Sequence, residues 1–216
     1  MVQKLSLTLA LVAGICFSAV SQKKFTPKQI EALKAEVSTI VEANHKQSQV
    51  MVDKIFSFAE LGFQEVESSK YLTGILEKQG FKIERGVSGI PTAWFATWSN
   101  GPGPVIALGS DVDNIPKASQ YPGVAFYRPI VEGAPGHGEG HNAGIPLNIT
   151  AALAVKQLME REQIGGTLIL WPGIAEELVL DHLGDDAIAV RRGLEAVVGE
   201  SRRARRGRTG GQQIVE

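Results

Sequence analysis

The chain has a single cysteine in 216 residues. That residue, Cys16, lies in an apolar stretch near the N-terminus which reads as an export signal. The mature protein is therefore expected to carry no cysteine, which excludes disulfides and thiolate ligands. Any metal would have to be held by oxygen and nitrogen. Charge of one sign is also lacking: 22 basic residues stand against 23 acidic ones, for a net charge of -1. Such a balance argues against nucleic acid or an anionic membrane surface as a general partner. No internal repeat is visible.

The N-terminus has the layout of a signal peptide over residues 1–21. Lys4 supplies a positive start, Leu5 to Val20 form an uncharged apolar run, and Ala19-Val20-Ser21 places small residues before a cut ahead of Gln22. The run is short for a bilayer span and has no stop-transfer flank, so stable membrane insertion is not expected. An uncleaved anchor helix is the alternative. Export implies a periplasmic or extracellular location.

Residues 22–180 read as part of one catalytic-type domain. Thr26-Pro27-Lys28-Gln29 combines an N-cap, a proline at the first helical position and a glutamine three residues after the cap. Apolar residues at Ile30, Leu33, Val37, Ile40, Val41, Met51, Ile55 and Phe58 continue a helical stripe, with a break expected near His45. A second helix is expected over Val66 to Gln79. Strands are expected over Phe81 to Val87, Thr92 to Trp98, Val105 to Gly109 and Thr167 to Trp171, with a helix from Leu147 to Glu162. Strand, helix and strand in that order imply a parallel pair joined by a crossover. The expected fold is α/β: a three-layer α/β/α domain with a mixed, largely parallel sheet, incomplete in this chain. Ligands of such sheets gather beyond the carboxyl ends of the strands.

Two such strand ends carry acidic pairs, Asp111 with Asp113 and Glu176 with Glu177. Between them lies Gly136-His137-Gly138-Glu139-Gly140-His141-Asn142, where potential ligands alternate with glycines. In an extended stretch residues two apart point the same way, so His137, Glu139 and His141 would converge on one side. Imidazole and carboxylate suit zinc, manganese, nickel or iron. The same segment also suits a flexible loop without metal, Glu176-Glu177 an acidic helix start, and Asp111-Asp113 a turn or cap. A metal between the two glutamates would relieve their repulsion, one binding the ion and the other acting as general base.

Together these clusters resemble the co-catalytic dinuclear metallopeptidases and amidohydrolases, the family of carboxypeptidase G, aminoacylase and the aminobenzoyl-glutamate utilisation proteins. The resemblance runs from about Ile55 to Glu177. Phe58 to Glu65 looks like the family's PELGFEE stretch, Ser110 to Pro116 like its aspartate-bearing strand end, Gly136 to Asn142 like its GHGCGHN loop, and Ala175-Glu176-Glu177 like its AEE signature. The resemblance implies hydrolysis of an amide bond in a small N-acyl amino acid, aminoacyl or peptide substrate by metal-activated water. It implies a catalytic role for Glu176, as general base, and for Asp113, as support of the metal centre. Glu139, His141 and Glu177 would be the metal ligands, with His137 and Asp111 as possible additions. Glu139 stands where amidohydrolases usually have a cysteine, and Asp111 where peptidases have a histidine. The intact family site holds two divalent ions, zinc above all.

After Glu177 the pattern stops. The family's later histidine ligands and its dimerisation domain have no counterpart, so a homodimer is expected only if that domain were present, and His182 comes too early to match. Up to Arg161 there are twelve lysines and three arginines, whereas Glu162 to Glu216 has seven arginines and no lysine. Residues 181–216 thus read as an atypical arginine-rich tail, disordered or from a shifted frame, on a truncated chain of impaired activity. The alternative function is a catalytically inactive binding protein that keeps the hydrolase fold.

Overall fold

The structure, a computed structural model, describes residues 24–178. The expected signal peptide at 1–21, the tail at 181–216 and His182 lie outside the described residues.

Helix α1 (Pro27–Ala43) begins with the capping box legible in the sequence: Thr26 Oγ1 accepts from the Gln29 N–H, and Gln29 Oε1 accepts from the Thr26 N–H. Asn44 ends it, its side-chain amide donating to the Ile40 carbonyl, and α2 (His45–Phe58) follows at once. The break near His45 is therefore a one-residue turn. Helix α3 spans Val66–Lys78, and strands β1 (Lys82–Arg85), β2 (Trp94–Ser99) and β3 (Val105–Asp111) come next. A long loop leads to α4 (His141–Glu162), then β4 (Thr167–Gly173) and a single 3-10 turn, Glu176–Leu178.

The sheet is mixed, in the order β1-β2-β4-β3. Parallel pairing is confined to β3 and β4, the pair joined by the α4 crossover, while β1·β2 and β2·β4 are antiparallel. Alternation along the strands divides the apolar side chains between two faces. Trp94, Ala96, Leu168 and Leu170 pack against Met51 and Ile55 of α2, Leu72 and Leu76 of α3, and Ile145, Ile149 and Ala152 of α4. Phe95 and Ile169 form a smaller cluster with Val87 and Ala93. Among the described residues the helices of the main core thus share one face of the sheet. No described helix is long and apolar enough to cross a membrane.

Because β3 and β4 are parallel neighbours in register from Val105↔Thr167 to Asp111↔Gly173, their carboxyl ends lie side by side. The α4 N-terminus returns to that same end. Three separate stretches of sequence therefore meet there.

Candidate metal centre

Helix α4 begins at His141 rather than at Leu147 as expected. Gly140, at φ +94°, makes the preceding turn in the left-handed region that glycine enters at little cost. Residues 136–140 are thus not one extended stretch, and strict alternation of side chains fails. Glu139 and His141 still come together, but His137 leaves the group. Its Nε2 lies 3.1 Å from the Ile55 carbonyl and its ring stacks on Phe56. Burial holds the His137 pKa below the usual histidine value.

One potential ligand atom from each of Glu139, His141, Glu176 and Glu177 lies within 4.8 Å of all the others. The His141 Nδ1 stands 3.1 Å from the Asp113 carbonyl oxygen. A carbonyl can only accept, so this bond requires the Nδ1–H tautomer and leaves the Nε2 lone pair free. Nε2 is 3.8 Å from Glu139 Oε2 and 4.0 Å from Glu176 Oε2, while Glu177 Oε1 is 3.9 Å from Nδ1. The carboxylates flank both nitrogen edges of one nearly buried ring.

Asp113 lies beneath. It is fully buried, its Oδ2 accepts the Glu177 N–H at 2.9 Å, and its Oδ1 faces His141 Nδ1 at 3.6 Å without a hydrogen-bond partner. Burial pushes its carboxyl pKa up, against the pull of the Glu177 N–H. Glu177 is also raised, first by burial and then by the negative charge of Glu139, with His141 opposing. Three carboxylates around one imidazole beside a buried, incompletely paired aspartate form a site short of positive charge. The N-terminus of the 22-residue α4 supplies only a partial charge there. Oxygen and nitrogen donors at this spacing fit a divalent cation.

Asp111 stands apart from the cluster. It ends β3 opposite Gly173, and a Cβ on that glycine would meet Asp111 Oδ1 at 1.7 Å. The sequence attached no role to Glu60 through Glu65, yet this segment backs the site. Glu60 accepts from the Glu67 and Ser68 N–H groups at the start of α3, and its carbonyl accepts from Asn114, the neighbour of Asp113. The Glu65 carboxylate accepts from Ala175, the residue before Glu176. The one signal available beforehand was that this stretch belongs to the family resemblance.

The fold and the cluster define an α/β domain whose acidic, histidine-bearing site lies beyond the carboxyl ends of two parallel strands. No protein-family model matches the chain. The chain is 34% identical over 141 residues to one of the subunits of the p-aminobenzoyl-glutamate hydrolase of Escherichia coli (strain K12), a match covering 65% of this chain and 29% of that protein. A dinuclear metal-binding peptidase of the M20 family from Bacillus subtilis has 26% identity and a TM-score of 0.50, over 73% of this chain and 40% of that one. A protein from methicillin-resistant Staphylococcus aureus described as an aminohydrolase shares the fold, with a TM-score of 0.56 at 19% identity over 66% of this chain and 35% of that one. Over part of its length the chain is thus similar to dinuclear metal-dependent peptidases and amidohydrolases. It spans about a third of the length of these relatives.

Proposed function

We propose that this chain carries part of a metal-dependent amidohydrolase centre acting on an amide bond in a small N-acyl amino acid, aminoacyl or short peptide substrate. The observation that carries the reading is the meeting of Glu139, His141, Glu176 and Glu177 from the loop, α4 and the post-β4 turn. Glu139, His141 through Nε2, and Glu177 would hold a divalent cation. When bound, the cation supplies Lewis-acid polarisation and a lowered pKa for water. The donor set has no sulfur, and a carboxylate at position 139 favours a harder ion such as manganese beside zinc.

Glu176 and Glu177 divide their roles by exposure. The Glu177 side chain is 10% exposed and anchored through its N–H to Asp113, which suits a fixed ligand. Glu176 is 48% exposed and so open to solvent, which suits a group that exchanges protons with water. As general base it would take the proton from attacking water as the C–O bond forms, then pass it to the amine nitrogen so that the amide C–N bond breaks and the amine departs. Asp113 holds the backbone of Glu177 and the ring of His141 in place. Export as a periplasmic or extracellular protein remains part of this reading, supported by residues 1–21 of the sequence alone.

The test is to purify the full chain, measure bound manganese and zinc, and assay N-acyl amino acids, dipeptides and p-aminobenzoyl-glutamate. Glu176→Gln is expected to keep the metal and lower turnover by about 10²- to 10⁴-fold. Turnover unaffected by that change would overturn the assignment of Glu176. Bound metal with no turnover would favour the inactive binding protein.

A further inference from the structure

Glu65 is fully buried, which is costly for a carboxylate unless its oxygens are paired. Here both are. Oε2 accepts from Thr92 Oγ1 at 2.8 Å, and Oε1 accepts from the Ala175 N–H at 3.2 Å. The bond to Ala175 spans 110 residues of sequence and ends directly before Glu176-Glu177.

Ala175 holds a backbone conformation that needs such support. Its φ of +58° lies in the left-handed region, which a residue with a Cβ enters at a cost. From that turn the chain enters Glu176–Leu178. Gly62 makes room for it: a Cβ there would lie 2.7 Å from the Ala175 Cα and 2.8 Å from Leu178 Cδ1. Only glycine allows this approach without displacing backbone.

We propose that Glu65 is a positioning residue of the metal centre: with Gly62 beneath, it holds the strained Ala175 turn from which Glu176 and Glu177 reach the site. The inference rests on reading the cluster as a cation site, and it concerns a residue that touches no member of that cluster. Thr92 is the second anchor. It leads into β2, so the turn after β4 is fixed through Glu65 to the sheet.

The test uses the full chain with manganese alone as probe, read by calorimetric titration and by residue-resolved amide exchange. Glu65→Leu removes both acceptors at similar volume. It is expected to speed exchange at Ala175 and weaken manganese binding by about tenfold each, the scale of a lost charge-assisted hydrogen bond in a buried setting. Exchange at Leu170 in β4 should be unchanged. Glu65→Gln keeps one acceptor oxygen and should recover most of both. Should Glu65→Leu not fold, Thr92→Val removes one anchor and should produce smaller changes in the same direction. Wild-type manganese affinity in the folded variants overturns the inference, whether or not Ala175 exchange changes. If the wild-type chain itself binds no manganese, the cation reading fails instead, and exchange at Ala175 still decides whether Glu65 holds the turn.

Discussion

Glu139 is the least confined of the clustered side chains, 63% exposed against 13% for His141. Its influence on an ion therefore rests on donor chemistry more than on rigid placement. A carboxylate oxygen is a hard donor and a thiolate a soft one, so Glu139→Cys should move preference from manganese toward zinc. The ratio of the two affinities, from competition titration, is expected to change by about tenfold or more, roughly the size of a change in one metal ligand's chemistry. An unchanged ratio would remove residue 139 from the ion. Glu65 gives a second readout at this scale, in pH. Burial raises its pKa above the ordinary 4.5, although Thr92 and neighbouring N–H groups pull the other way. The folded protein therefore holds the proton more tightly than the unfolded chain does. As pH rises through 4.5 the unfolded chain loses its proton first, and stability falls until the folded group ionises. The contribution is fully present below 4.5 and lost above the raised value. Denaturant unfolding of Glu65→Gln should lack that fall, and a parallel curve for the two proteins would contradict the placement of Glu65.

At the scale of elements, α1 and α4 make opposite predictions. Helix α1 buries no residue and is held by its capping box and by the Glu36 fork with Arg161 of α4. Thr26→Ala should cost the helix about 1 kcal/mol, seen as faster exchange near Ile30 with little change in the global unfolding midpoint. Ile149 of α4 is completely buried between α2, α3 and the sheet, so Ile149→Ala should lower global stability by about 2–5 kcal/mol. Equal global effects would mean that α1 belongs to the cooperative core. The same contrast explains what the sequence revealed. Capping residues and the stripe from Ile30 to Phe58 announced two helices and the break between them, and β-branched runs announced the strands. The α/β class, the mixed sheet and the β3–α4–β4 crossover followed. The start of α4 was hidden because Gly140 precedes it and Pro146 stands inside the helix, where proline ordinarily interrupts the backbone hydrogen bonds. That hidden start is why His137 looked like a partner of Glu139. The hold of Glu65 on Ala175 was illegible for another reason, since a contact 110 residues long leaves no periodic trace.

For the molecule as a whole, the cluster ties together parts that the chain visits far apart: the loop before α4, the first residue of α4 and the turn after β4. Without a cation, three carboxylates repel one another across that junction, and the α4 N-terminus offsets only part of the repulsion. An ion bound by the folded chain and not by the unfolded one stabilises the whole by mass action, about 2.7 kcal/mol at a hundred times its dissociation constant. In a chain of this size each kcal/mol is worth about 2–4 °C of midpoint. Saturating manganese or zinc should therefore raise Tm by roughly 5–10 °C on those two scales, and a chelator should reverse it. His141→Ala should abolish the rise, because it removes the imidazole that the three carboxylates surround. His45→Ala, in the first turn of α2 and outside the cluster, should leave it intact. A midpoint that ignores the cation, or a rise that survives loss of His141, would mean that these side chains meet without sharing an ion.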